Sequence, residues 1–141
     1  MAKKNPTLKK LHSTILSSIE DKMGKDIVSI DLRKVENAVA SYFIICHGDS
    51  NTHATAIADW VAENVENELD ERVWKVQGKE NSEWIILDYG SIVLHVFQRP
   101  FRHHYNLEEL WADGVLTTVQ EALEEVETKI KPKNERKSRK E

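Results

Sequence analysis

Between Ser82 and Trp111 the chain reads SEWIILDYGSIVLHVFQRPFRHHYNLEELW, and its two β-rich runs flanking Tyr89-Gly90 constrain it to an antiparallel hairpin. With Tyr89 and Gly90 as a two-residue loop, Asp88 faces Ser91, Ile86 faces Val93 and Trp84 faces His95. One side of the hairpin then carries Ile85, Leu87, Ile92, Leu94 and Val96, an aliphatic surface suited to a core. The other carries Trp84, Asp88, Ser91 and His95, a mixture that a protein keeps where a helix, a second subunit or a partner covers it. This mixed face is the candidate for function.

The remaining segments supply layers for such a hairpin. Asn5 and Pro6, followed by Leu8, Leu11, Ile15, Ile19 and Met23, predict a capped first helix that ends at Gly24. Ile27–Leu32 reads as a strand, and Tyr42–Cys46 (YFIIC) as a central strand buried on both faces. Gly48 to Asn51 makes a turn and caps a helix from about His53 to Leu69, with Ala54, Ile57, Ala58, Val61 and Val65 inward and Trp60 beside them. Val73–Gln77 returns as a strand, so Tyr42–Gln77 predicts a βαβ crossover and a parallel pair. Pro100 is expected to close the last strand. Asn106 and Glu109 resemble a capping box for a short helix whose Leu107, Leu110 and Trp111 share one face. The expected fold is therefore α/β, a mixed sheet of about five strands with flanking helices. VLTTV suits a short edge strand, and QEALEEVETKIK a helix with Leu123, Val126 and Ile130 inward. The domain is expected to occupy residues 1–113. Residues 114–130 form an extension whose structure is left open, and 131–141 a basic tail with no apolar anchor, expected to be disordered.

Charge narrows the partners. The whole chain carries −4, yet from Lys129 onward seven Lys or Arg stand against two Glu, a local +5, so residues 1–128 carry −9. An acidic body argues against a domain surface that grips phosphates and favours a basic protein as partner. No apolar run approaches the roughly 18 residues of a membrane span, and the basic N-terminus leads into an amphipathic pattern, which suits neither membrane nor secretory signal. The cytoplasm is the expected location, and the lone Cys46 cannot form an intrachain disulfide.

No constellation for catalysis stands out. There is no Walker A loop, GxGxxG, HExxH or CxxC, and Cys46 in a buried strand reads as a small core residue. His95, His103 and His104 cluster in sequence, but adjacent histidines in an extended loop point apart, so they read as surface or partner-contacting groups and no metal is expected. The loop HGDSN (residues 47–51) sits where phosphate loops occur, although its one glycine and its aspartate fit a turn and a helix cap better. Asp88 either serves as a strand-end carboxylate or bonds the turn backbone. Trp84 reads as a core residue or, beside charges, as a contact anchor.

The segments SYFIICHGDS, IADWV, ENSEWIILDYGSIVLHVFQ and YNLEELW resemble the ribosomal silencing factors, also called the Iojap family. The likeness runs from about Leu8 to Asp113. Its most specific part is the order Trp84, Asp88, Gly90, His95, Phe97, followed by Tyr105, Leu107, Glu108, Leu110 and Trp111. It implies a nucleotidyltransferase-like α/β fold, a homodimer when free, and no cofactor. It further implies binding to the fourteenth protein of the large ribosomal subunit, which blocks joining of the small subunit and represses translation. By the same likeness Trp84, Asp88, His95, Tyr105 and Glu108 are the partner-binding residues, Glu108 supplying charge, with Leu107, Leu110 and Trp111 an apolar anchor. Two departures stand: Ser41 replaces an aspartate frequent in the family, and the family commonly ends soon after LW. Other classes remain as alternatives to this non-enzymatic reading. One is a nucleotidyltransferase using Asp31 and Asp88 with magnesium; another is an RNA-binding module that reaches rRNA through the basic tail.

Overall fold

The computed structural model describes residues 7–118. Helix α1 spans Leu8–Asp21, and its cap is Thr7, whose Oγ1 accepts from the Lys10 N–H at 3.0 Å, in place of the expected Asn5. Leu11, Ile15 and Ile19 face inward as their spacing requires, whereas Met23 lies past the helix in the left-handed region and is exposed. Strand β1 (Lys25–Asp31) leads to β2 (Tyr42–Gly48), which is buried on both faces along almost its whole length. Helix α2 (Asn51–Leu69) is capped by Ser50, whose Oγ accepts from the His53 N–H at 3.1 Å, and it buries the whole predicted stripe.

The sheet has six strands in the order β3-β4-β5-β2-β1-β6, with β3 at Lys75–Gln77, β4 at Trp84–Asp88, β5 at Ile92–Gln98 and β6 at Val115–Thr118. The sheet itself thus runs past Asp113. The crossover from β2 through α2 to β3 is present, but β2 and β3 are not neighbours. The β4–β5 hairpin lies between them, and the parallel pair is β2 with β5. The largely apolar, buried β2 and β5 take the centre, and the short exposed β3 goes to the edge.

The hairpin register differs from expectation by two residues: Asp88 pairs with Val93, Ile86 with His95 and Trp84 with Phe97. The loop is Gly90-Ser91, closed by Tyr89 N–H donating to the Ile92 carbonyl at 2.9 Å, with Gly90 at φ +86°. A glycine at the first loop position supplies the positive φ that a tight hairpin turn needs. A two-residue slip leaves every side chain on its own face, so the division into two faces stands. Ile85, Leu87, Ile92, Leu94 and Val96 pack with Ile44 and Cys46 beneath α1 and α2. Val28, Ile30, Leu32, Phe43, Ile45, Val93 and Phe97 form a second core on the opposite face.

Pro100 does not merely close β5. It sits in the first turn of an unforeseen helix α3 (Arg99–Tyr105), which places His103 and His104 on a helix instead of an extended loop. Asn106, left-handed at φ 47°, ends α3 and begins the one-turn helix α4 (Leu107–Leu110). It makes no side-chain bond to a backbone N–H, so the capping box reduces to Asn106 Nδ2 donating to Glu109 Oε1 at 2.9 Å. Leu107 is buried and Trp111 packs partly inside, but Leu110 is 71 % exposed and shares no inward face with them. The residues from 119 onward, including the predicted helix and the basic tail, lie outside the described range.

Candidate functional site

The second sheet face gathers an aromatic cluster. Alternation along β4 and β5 brings Trp84 and His95 to one side, and the strand register sets Trp84 directly opposite Phe97. The Trp84 and Phe97 rings stack at 5.2 Å between centroids. Tyr105, from the last turn of α3, lies 4.5 Å from Trp84 and 6.0 Å from Phe97. Beneath them Phe43 meets His95 edge-on at 4.7 Å and Trp111 at 5.4 Å. Such offset and edge-on contacts fix ring orientations more tightly than aliphatic packing does.

Polar groups add direction. Trp84 Nε1 donates to His95 Nδ1 at 3.0 Å. That bond leaves the ring proton on Nε2, which is buried without an acceptor among the described residues. Burial pushes the His95 pKa down to about 4, so its imidazole is neutral at physiological pH. Trp84 is half-buried and Tyr105 is 43 % exposed, so their edges reach solvent while His95, 5 % exposed, supports them from below.

The five partner-binding residues expected from sequence are not all together. Trp84, His95 and Tyr105 meet in this cluster. Asp88 lies at the far end of β4, about 13 Å along the strand from Trp84, and its Oδ1 accepts from the Gly90 N–H at 2.7 Å. Glu108 is engaged internally: its Oε2 accepts from Arg102 Nη2 at 2.7 Å and Nε at 3.2 Å. Arg102 escaped the sequence reading altogether. It is buried, with Nη1 also donating to His47 Nδ1 at 2.9 Å and to the Lys25 carbonyl at 3.4 Å. A single arginine just before two histidines in an apparently extended loop gives no sign in sequence of pointing inward.

The other constellations resolve into local structure. Asp31 holds Arg33 through two side-chain bonds, 2.7 and 3.0 Å, and this pairing draws its carboxyl below the usual range. It lines a cleft of about 210 Å³ with His12, Leu16, Ser29, Tyr42 and Val115, on the face opposite Trp84. Asp31 and Asp88 stand on strands three spacings apart, about 14 Å, too far to share one ion. In the loop after β2, the Asp49 N–H donates to His53 Nδ1 at 3.0 Å while Ser50 caps α2, so the loop's groups turn inward on the protein. Cys46 is fully buried, and burial pushes its thiol up to about 12, a poor nucleophile. Among the described residues no helix is long and apolar enough to cross a membrane, and no group of three or more His, Cys, Asp or Glu is placed to hold a metal.

Comparison with known proteins gives one consistent answer. Residues 5–141 match the family described as ribosomal silencing factor during starvation, a range that takes in the segment beyond the LW motif. The chain is 37 % identical over 103 residues to the ribosomal silencing factor of Bacillus subtilis, an alignment covering 71 % of this chain and 83 % of that protein. The mitochondrial Iojap-related protein of Arabidopsis thaliana is 35 % identical over 101 residues, covering 61 % of this chain and 54 % of its own length. Among solved structures, a crystal structure of a Chromobacterium violaceum protein superposes with a TM-score of 0.71 at 29 % identity, over 76 % of this chain and 88 % of that one.

Proposed function

The chain belongs to the ribosomal silencing factor family, and we propose that it represses translation by occupying the large ribosomal subunit at its fourteenth protein, so that the small subunit cannot join. The mechanism is steric, with no chemical step. The observation that carries this reading is the Trp84–Tyr105 pair. It is an aromatic edge held rigid from beneath by Phe97 and His95 and open to solvent, on a body whose net charge suits a basic partner. A contact of about 800 Å² per partner suffices for stable association and leaves the rest of the domain as an obstacle.

Glu108, half-buried, lends its remaining charge to the rim of this surface, and Asp88 marks its far end. When free, the protein pairs with a second copy, to which the edge strand β3 offers the exposed Val76 and the adjoining Trp74, 79 % exposed. The basic stretch 131–141 adds a salt-sensitive attraction to rRNA. Such a protein works in the cytoplasm. The test is co-sedimentation of the purified chain with large subunits, followed by pull-down of separated ribosomal proteins. Saturable binding to one basic protein is expected, and the reading fails if the folded chain ignores large subunits. Deleting Lys131–Glu141 should cost only a modest, salt-dependent share of affinity; complete loss would make the tail the binding element.

A further inference from the structure

We infer that Arg102 is a positioning residue for the contact patch: its buried guanidinium fixes the α3–Asn106–α4 turn and thereby the angle at which Tyr105 covers Trp84. The inference rests on the reading above, and the experiment below separates the two.

An arginine 7 % exposed is costly unless its donors are met, and here they are met by three separate parts of the chain. The bonds run to the start of β1 at the Lys25 carbonyl, to the end of β2 at His47, and to α4 at Glu108. In the last, Nε and Nη2 both donate to the single oxygen Oε2, a charge-assisted contact stronger than a neutral one. Besides these bonds, the segment is held by packing of Phe101, Leu107 and Trp111 against the second core. Helix α3 is seven residues long and α4 four, far below the length at which a helix persists alone. Their only buried residues are Arg102 and Leu107. Between them Asn106 is left-handed, and its N–H donates to the Arg102 carbonyl at 2.9 Å, so the same residue anchors the turn through backbone and side chain. Tyr105 is one turn beyond Arg102 on α3, and the tilt of α3 decides where its ring falls on Trp84 and Phe97. Acceptance by His47 Nδ1 requires a neutral imidazole, which burial and the neighbouring Arg102 both favour. Arg99 acts the same way, and Asp26 and Asp49 act against it.

The test uses the full chain with Arg102→Lys, which keeps the charge but cannot reach three partners, and reads two things. Large-subunit binding should weaken about tenfold, on the scale of a contact residue misplaced. The Trp84 indole N–H resonance, assigned through Trp84→Phe, should move, while that of Trp60, bonded to Asp21 on the other side of the molecule, stays in place. Should Arg102→Lys fail to fold, the apolar pair Arg102→Met/Glu108→Leu fills the site without orphaned charges; its binding is read against Glu108→Gln alone, which accounts for the lost rim charge, and the Trp84 resonance is read as before. A folded variant of either kind that binds at the wild-type level with an unmoved Trp84 signal overturns the inference. Trp84→Ala is the reference: if it weakens binding and the Arg102 variants do not, only this inference falls. If Trp84→Ala itself binds normally, the contact patch and the inference fall together.

Discussion

The two faces of the sheet solve different problems with the same strands. On the first, α1 and α2 bury Ile15, Ile57, Val61, Ile85, Leu94 and Val96 completely, and Asn64 Nδ2 donates to Ser18 Oγ at 2.8 Å between the helices, while the Tyr89 hydroxyl at the core's edge is buried without a partner among the described residues. On the second, two short helices cover only part of the sheet, aliphatic Val28, Ile30 and Ile45 are joined by a cluster of rings around Phe43 and Phe97, and a buried imidazole nitrogen has no acceptor among the described residues. Interchangeable aliphatic volume makes a core; oriented rings with one polar handle, half-open to solvent, make a surface meant to meet something. The contrast predicts opposite consequences for truncation. Leu94→Ala, in the fully buried first face, should cost about 3 kcal/mol in urea unfolding while the folded fraction binds large subunits normally. Weakened binding at full folding would mean that the faces are not separable.

Trp84→Ala is the converse, with an expected loss of about 2 kcal/mol or more in affinity for large subunits and a smaller loss of stability, because the indole is half outside already. Sedimentation titration beside thermal unfolding would compare the two directly. Acid should bear on the second face through His95. His95 has a folded-state pKa near 4, below its unfolded value, so the unfolded chain binds the proton first. The stability this confers is full above about pH 6.5 and is lost as pH falls from there towards 4, about 1.5 kcal/mol of it by pH 5.5. His12 and His47, both lowered chiefly by burial, act in the same direction. His95→Phe should remove the largest single part of the acid sensitivity measured by unfolding at pH 7.5 and 5.5.

The first face was legible in sequence because its information is periodic. Alternation in β4 and β5 and the stripe of α2 place the same residues inside whatever the details, and even a two-residue error in the hairpin register moves none of them to the other face. The second face is built from exceptions. RPFRHHY has no apolar stripe, so its sequence points to the end of a strand followed by a loop, although its proline suits a first helical turn equally well. Its inward group is an arginine whose burial depends on His47, 55 positions earlier, and Glu108, and no local pattern announces such a set. Trp84, His95 and Tyr105 could be singled out by residue type and by family likeness. That Glu108 is bound internally and that Leu110 points outward depend on the left-handed Asn106, which turns α4 relative to α3.

The smallest expected effect bears on Asp88, where the hairpin ends. Its Oδ1 receives the Gly90 N–H at 2.7 Å, a bond that the amide oxygen of an asparagine accepts equally well, and no cation lies within 4.0 Å of its carboxylate among the described residues. Asp88→Asn should therefore change stability by less than about 0.5 kcal/mol, whereas Asp88→Ala, which leaves the Gly90 donor unmet, should cost about 1 kcal/mol. The pair of variants separates a turn-forming acceptor from a working carboxylate. If Asp88→Asn abolished a saturable, magnesium-dependent heat of nucleotide binding in calorimetry, the charge itself would matter and occupancy alone would not describe the protein. If both variants follow the hydrogen bond, the acidic end of the hairpin is there to shape Gly90-Ser91. The register so fixed is the one that sets Trp84 opposite Phe97.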